Sequence, residues 1–158
     1  MKFLADGMLG KLTRWLRILG HDVKYSTSLS DEILIAMAKK ERRVLLTSDF
    51  ELYQKSTSNK LATFYVEVVD NTEQLARISK RFAFPLKFDF ETSRCPKCNA
   101  KLRPTAKEKI AGKVKKNTLD RYTEFWFCPK CKQIYWHGAH WGRIRATLRK
   151  AESELKLS

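Results

Sequence analysis

An α/β fold, with a parallel sheet flanked by helices and a small metal-stabilised module after it, is predicted by three features of the 158-residue sequence. Short apolar runs alternate with segments of helical spacing through the first part of the chain, which is typical of a parallel sheet. Two Cys-x-x-Cys pairs follow in the second part. A hydrophobic fraction of 43% is enough for one ordinary domain and such a module. We therefore expect two domains, residues 1–92 and residues 93–158.

The predicted elements alternate along residues 1–92. The strand Lys2–Ala5 precedes a helix over Leu9–Leu19, in which every third or fourth residue is a leucine, and Gly20 is placed to end that helix. The further elements are a strand His21–Tyr25, a helix Asp31–Glu41 with Ser30 as N-cap, a strand Arg43–Thr47, a helix or turn Phe50–Ser56, a strand Leu61–Val69, a helix Thr72–Phe82, a linker or edge strand Phe84–Thr92 and, after the cysteine module, a basic helix Trp141–Leu157.

The cysteines form the strongest local signal. All four belong to the pairs Cys95, Cys98 and Cys128, Cys131, with Pro-Lys inside each pair. Such pairs predict a closed tetrahedral Zn²⁺ site, which is structural because no coordination position stays open. Disulfides and a redox dithiol are the alternatives. Because the N-terminal residues lack a signal-peptide pattern and no apolar run approaches about 20 residues, we expect a cytoplasmic protein with reduced thiols and no membrane partner.

Positive charge is concentrated in the cysteine-bearing part of the chain. Residues 1–92 carry a net charge of +3, whereas residues 93–158 carry +12 of the total +15. Lysines, arginines and aromatic residues are interleaved there, and this combination is typical of RNA or DNA binding. We expect RNA contacts from Lys130, Lys132, Trp136 and His140. The alternative is a solvated lysine-rich surface over aromatic residues that form the ribbon core.

Three aspartates stand where a parallel α/β sheet places its ligands. Asp6 follows the first predicted strand, Asp31 begins the second helix, and Asp49 follows the third strand. Carboxylates that converge repel one another unless a divalent cation lies between them, and oxygen ligands suit Mg²⁺ or Mn²⁺. Such a cation promotes phosphodiester hydrolysis. Glu51 is a further candidate oxygen ligand, and each acid alone would also serve as a helix cap or turn residue.

Basic residues accompany Asp6 on the first predicted helix. Lys11, Arg14 and Arg17 are spaced three residues apart, so they lie roughly on one side of that helix. With the positive N-terminal end of the helix, they would hold a backbone phosphate of RNA near the acids. The alternative is an ordinary polar helix face opposite the leucines.

Three segments of the sequence carry a resemblance to a known family. They are Leu4-Ala5-Asp6-Gly7-Met8-Leu9-Gly10-Lys11-Leu12 with its continuation to Gly20, Leu45-Leu46-Thr47-Ser48-Asp49, and the two cysteine pairs with Ile134-Tyr135-Trp136. In this order they resemble the Mut-seven C-terminal ribonuclease domain family, over nearly the whole chain. The resemblance implies a PIN-like nuclease domain with a C-terminal zinc ribbon, and Mg²⁺- or Mn²⁺-dependent cleavage of RNA.

The resemblance also implies roles for individual residues. Asp6, Asp31 and Asp49 match the acidic positions, whereas Glu51 is only loosely similar to a second acid of many PIN domains. Ser48 stands where the family usually has a basic residue. A homodimer and association with the ribosome are further partner hypotheses.

Two other classes of function compete with the ribonuclease. One is a non-catalytic zinc-ribbon factor that binds ribosomal or transfer RNA. The other is a phosphotransfer enzyme of the haloacid-dehalogenase or receiver type. The dehalogenase type needs Asp-x-Asp after the first strand, where this chain has Asp6-Gly7-Met8, and no clear receiver-type lysine is present.

Overall fold

The computed structural model describes residues 1–157, which form an α/β fold with two sheets. The larger sheet is fully parallel, with the order β2-β1-β3-β4, and the smaller is antiparallel, with the order β5-β6-β7. The predicted fold class is confirmed. The strands are β1 Lys2–Ala5, β2 Asp22–Tyr25, β3 Val44–Thr47, β4 Thr63–Tyr65, β5 Arg103–Thr105, β6 Phe125–Phe127 and β7 Ile134–Trp136.

The helices of the described residues follow the predicted alternation, with two additions. Two short helices lie in the insertion between the cysteine pairs, where no helix was expected. No helix among residues 1–157 is long and apolar enough to cross a membrane. The helices are α1 Gly10–Ile18, α2 Asp31–Glu41, α3 Phe50–Ser58, α4 Asn71–Phe82, α5 Lys107–Ile110, α6 Lys116–Arg121 and α7 Ala139–Leu157.

Apolar cores cover both faces of the parallel sheet, because successive side chains of a strand point to opposite faces. In β1, Phe3 and Ala5 pack into the larger core with residues of α1 and α4. Leu4 packs into the smaller core with Leu34 of α2 and Leu52 of α3. A strand buried on both faces has a continuous apolar sequence, as β1 does after its exposed first residue, Lys2.

Strands β2 and β3 begin one residue later than the sequence predicts. In each case the amide of the residue before the strand donates to a carbonyl near the end of the preceding helix. The His21 amide donates to the Leu16 carbonyl at 3.0 Å, and the Arg43 amide donates to the Ala38 carbonyl at 2.9 Å. Between α1 and β2, Gly20 adopts a φ of +88°, and a Cβ there would lie 2.8 Å from the Thr92 carbonyl oxygen. The expected role of Gly20 at the end of α1 is therefore confirmed.

The prediction of a strand over Leu61–Val69 is wrong in its extent. Only Thr63–Tyr65 pairs with β3, and Val68 is 82% exposed. Asp70, which would have ended that strand, instead caps α4 by accepting the amides of Thr72 at 2.8 Å and Glu73 at 3.0 Å. The segment of β-favouring composition is therefore longer than the strand that pairs with β3.

One apolar core extends from the parallel sheet to the ribbon and the last helix. It includes Phe90, Trp126 and Trp141 together with Ile144 and Leu148 of α7. The rings of Phe90 and Trp126 stack with centroids 4.0 Å apart. Several aromatic residues of the basic half therefore belong to the core, as the alternative interpretation of that segment proposed. Separate domains at residues 1–92 and 93–158 remain a prediction.

Candidate active site and metal centre

The four cysteines converge at one end of the ribbon. All are free thiols, and their Sγ atoms lie within 4.8 Å of one another. The separation is 3.5 Å between Cys95 and Cys131 and 3.3 Å between Cys98 and Cys128. A tetrahedral zinc shell with Zn–S bonds of about 2.3 Å has sulfur–sulfur edges of about 3.8 Å. The donor type and spacing therefore fit Zn²⁺.

The two cysteine pairs repeat the same backbone turn, which we call a knuckle. In the first knuckle the Asn99 amide donates to the Cys95 carbonyl at 2.9 Å, and in the second the Lys132 amide donates to the Cys128 carbonyl at 2.9 Å. Asn99 has a φ of +68° and Lys132 a φ of +63°. Both knuckles thus turn their sulfurs inward by the same left-handed residue after the second cysteine.

The environment of the thiols differs within the cluster. Burial raises the pKa of Cys128 to about 12. Burial also opposes ionisation of Cys95, but a hydrogen bond with the Tyr135 hydroxyl and bonds with backbone amides outweigh it, and the pKa of Cys95 is lowered to about 7. Zinc binding requires thiolates, so affinity for the metal rises with pH.

Arg17, predicted as an RNA contact, joins the first knuckle to the parallel sheet. Its guanidinium is buried and donates to the Val23 carbonyl at 3.0 and 2.8 Å and to the carbonyls of Pro96 and Lys97 at 3.0 and 3.1 Å. Four of the five N–H donors of the guanidinium therefore bind carbonyls inside the protein. The Asn99 side chain adds a second connection, since its Oδ1 accepts the Val23 amide at 3.0 Å.

Asp6 lies at the carboxyl end of β1, as predicted, and is only 6% exposed. Its carboxylate accepts the Met8 amide at 2.9 Å, the Ser48 amide at 3.2 Å and the Thr47 hydroxyl. These donors come from the ends of two neighbouring strands. Asp6 therefore holds the ends of β1 and β3 together, whatever else it binds.

Asp49 follows β3 and caps α3. Its Oδ1 accepts the amides of Glu51 at 2.8 Å and Leu52 at 3.2 Å, while the Asp49 amide donates to the Thr47 hydroxyl at 3.0 Å. Thr47 thus connects the carboxylate of Asp6 to the backbone of Asp49. The Oδ2 atom of Asp49 makes no hydrogen bond within residues 1–157, and both Asp49 and Glu51 are exposed.

Asp31 occupies the first turn of α2, which Ser30 caps as predicted through a 3.5 Å bond from the Ile33 amide. Its charge acts on Lys55 of α3, which pairs with Glu32. We call Asp6, Asp31, Asp49 and Glu51 the acidic edge. Carboxylate oxygens suit a hard divalent cation, and Asp49 offers a free one. Among the described residues, however, only the cysteines form a group close enough to hold an ion without side-chain movement.

The other predicted RNA contacts do not share one surface. Lys11, Arg14 and His140 line a groove of about 500 Å³ between α1, the first knuckle and α7, which we call the ribbon cleft. Lys132 and Trp136 line a different cleft of about 620 Å³ beside the insertion. Lys130 is exposed on the second knuckle, and His137 packs among core rings, 4.7 Å from Phe90.

A family model of the Mut7-C RNase domain matches residues 1–148. The chain belongs to this family. The match covers the parallel sheet, the acidic edge and the cysteine cluster, and it indicates a nuclease activity with RNA as substrate. Searches of curated proteins and of solved structures gave no match.

Aromatic residues next to the acidic edge of this Mut7-C domain were missed by sequence reasoning. Phe50, Tyr53 and Tyr65 form a cluster with ring centroids 5.7 to 6.1 Å apart, and Phe50, which directly follows Asp49, is 56% exposed. An exposed aromatic residue opening a helix after a strand-end acid was the available signal. Such rings can stack on unpaired bases.

Proposed function

We propose that the chain is a divalent-cation-dependent ribonuclease that hydrolyses RNA at the acidic edge, while the zinc ribbon helps to hold the RNA. The observation that carries the proposal is the pairing of Asp6 and Asp49 at the ends of neighbouring parallel strands, connected through Thr47. In a chain of a ribonuclease family, this is where the sheet geometry favours a ligand site.

In the proposed reaction, Asp49, Asp31 and Asp6 would hold Mg²⁺ or Mn²⁺ at the acidic edge once their side chains turn toward a common ion. A bound cation supplies Lewis-acid stabilisation of the phosphodiester and eases deprotonation of the attacking water. The bond from the water oxygen to phosphorus forms as the bond from phosphorus to the 3′ oxygen breaks. One product therefore carries a 5′ phosphate and the other a 3′ hydroxyl. Lys11 and Arg14, both exposed on α1, neutralise neighbouring phosphates.

Asp49→Asn is the cleanest test of this assignment. Asparagine is nearly as good an N-cap as aspartate, so α3 and the fold are retained while the anionic ligand is lost. We expect cleavage of single-stranded RNA in Mg²⁺ or Mn²⁺ to fall at least about 100-fold, since the charge is needed in the reaction. Asp6→Asn is less informative, because an amide cannot accept all three donors that the carboxylate now accepts.

The matched control is Asp89→Asn. Asp89 is an exposed aspartate outside the acidic edge whose carboxylate also accepts a backbone amide, from Glu91 at 2.9 Å. The Asp89→Asn variant should cleave RNA at the wild-type rate. Cleavage by Asp49→Asn at the wild-type rate would overturn the active-site assignment. Products with 2′,3′-cyclic phosphate ends would overturn the hydrolytic mechanism.

A second candidate is an RNA-binding protein without catalysis. It is favoured by one observation, the use of the Asp6 carboxylate by three donors inside the protein. RNA binding without cation-dependent cleavage would establish it. The free cysteines support our expectation of a cytoplasmic location. Self-association and ribosome association remain predictions.

A further inference from the structure

We infer that the ribbon cleft binds unpaired nucleotides of the RNA substrate and that Lys11 and Arg14 guide the strand from this cleft to the acidic edge. This inference rests on the proposed function and adds the class of substrate, single-stranded RNA, and the path that it takes. The first support is the composition of the cleft, whose lining includes Trp15 of α1, Lys97 of the first knuckle, Tyr135 of β7 and His140 of α7.

The size and chemistry of the cleft suit a nucleotide. Its volume of about 500 Å³ lies in the range of small-molecule sites, which is about 300–1,000 Å³. It combines aromatic side chains, which stack on bases, with cationic side chains, which bind phosphates. None of its lining residues, among those that the structure describes, is an Asp or Glu.

A second cleft shares Lys11 and Arg14 with this groove and extends to the residues that follow Asp6 in the chain. It has a volume of about 560 Å³ and begins at Gly7 and Met8, directly after Asp6. The Met8 amide donates to the Asp6 carboxylate at 2.9 Å. Lys11 and Arg14 line both clefts, so these two side chains stand between them. Again, no described lining residue is acidic.

The charge of Lys11 and Arg14 is available to a ligand. Both are exposed, and neither makes an ion pair with any residue among 1–157. By contrast, the charges of Lys24, Lys55 and Arg77 are each paired with a glutamate. Unpaired cations along a groove without acids attract a polyanion and release its counterions.

The geometry sets the length of strand that fits. From Gly10 to Ile18, α1 rises roughly 12 Å, since each residue adds about 1.5 Å. At about 3.4 Å for each stacked nucleotide, the helix spans about three or four nucleotides. Tyr135 is held in place by the 3.2 Å contact of its hydroxyl with Cys95 Sγ, and the first knuckle is held by Arg17. The cleft walls are therefore preorganised by the metal centre.

Affinity measurements on paired alanine variants test the path. In zinc-loaded Asp49→Asn protein, which retains the RNA uncut, Lys11→Ala with Arg14→Ala should weaken binding of a fluorescent single-stranded RNA at least about tenfold. The slope of the logarithm of the binding constant against the logarithm of the salt concentration should become shallower by about 1.4, which is about 0.7 for each of the two lost phosphate contacts. The control is Lys39→Ala with Lys40→Ala, two exposed lysines on α2 without ion-pair partners in the described chain. It removes the same charge and should change affinity less than about twofold.

Crosslinking locates the RNA independently of affinity and of cleavage. RNA that contains 4-thiouridine should crosslink to Trp15, Tyr135 or His140, and a duplex of the same sequence should not, because its bases are not exposed for stacking. Equal loss of affinity in both alanine pairs, or crosslinks confined to residues outside the two clefts, would overturn the path. If RNA is still cut in an Asp49-dependent manner, the ribonuclease proposal survives that result. If the native protein neither binds nor cuts RNA, both the RNA path and the ribonuclease proposal are wrong.

Discussion

Replacing Arg17 by methionine should strongly destabilise the whole chain. The side chain donates four hydrogen bonds to the carbonyls of Val23, Pro96 and Lys97. Methionine is unbranched like the arginine stem but is shorter and has no donor, so three acceptors would lose their charged partner. Hydrogen bonds to charged groups contribute about 1.5–3 kcal/mol each, partly offset here by the recovered cost of burying the guanidinium. We expect the free energy of unfolding to fall by about 3–5 kcal/mol.

Urea unfolding of the zinc-loaded protein, followed by circular dichroism, measures this change. Competition with a chromophoric chelator should also show faster zinc release, because the first knuckle loses its connection to α1 and β2. The matched control is Arg14→Met, an exposed arginine on the same helix, which should change stability by less than about 0.5 kcal/mol. A loss below about 1 kcal/mol for Arg17→Met, with zinc retained as in the wild type, would refute the assigned role.

Three further predictions concern pH, metal and backbone. Burial and the nearby N-terminal charge lower the pKa of His21 in the folded protein to about 4. In the unfolded chain this pKa is about 6.5, so as the pH falls the unfolded state takes up the proton before the folded state does. The free energy of unfolding should therefore be highest above about pH 6.5 and should fall as the pH drops toward 4. His21→Phe should reduce this fall by about 1–3 kcal/mol in denaturant titrations at each pH, and equal slopes would contradict it. Removal of zinc by a chelator should lower the thermal midpoint of the entire chain, since the first knuckle accepts hydrogen bonds from Arg17; a sheet that melts unchanged would oppose this. Gly20→Ala should lower the free energy of chemical unfolding by about 1–3 kcal/mol, because the new Cβ would lie 2.8 Å from the Thr92 carbonyl oxygen. The control Gly112→Ala, at a φ of +82° but with open space around the Cβ, should lower it by only about 1 kcal/mol. Equal losses would exclude the close contact as the cause.

Local signals predicted the parts of the fold that local interactions determine. Ser30 followed by Asp31 and Glu32 indicates a helix start, and α2 begins there with Ser30 as its cap. The leucine spacing predicted α1, and the Cys-x-x-Cys pairs predicted the cluster of sulfurs. In both helices and within each cysteine pair the relevant residues are a few positions apart, so the spacing in the chain specifies the spacing in the structure. The two pairs, Cys98 and Cys128 being 30 residues apart, were matched by their common ligand chemistry.

Features that depend on distant contacts could not be read in this way. Arg17 has the helical position of a polar surface residue, and its donors are instead used by the Val23 carbonyl and by the Pro96 and Lys97 carbonyls, the last two about 80 residues away. The β-favouring Leu61–Val69 segment bonds to β3 no further than Val66, whose amide donates to the Thr47 carbonyl at 2.7 Å. The ribbon cleft likewise combines α1, the ribbon and α7, and no local pattern indicates that these elements meet.

Binding of Mn²⁺ tests the central claim, that the acids of the sheet hold a catalytic cation, most directly. Titration calorimetry on the zinc-loaded protein should detect Mn²⁺ binding that disappears in Asp49→Asn and in Asp31→Asn and persists in Asp89→Asn. Asp31→Asn should leave α2 folded, since Ser30 provides its cap. Absence of Mn²⁺ binding in the native protein, or equal binding in all four proteins, would contradict the claim.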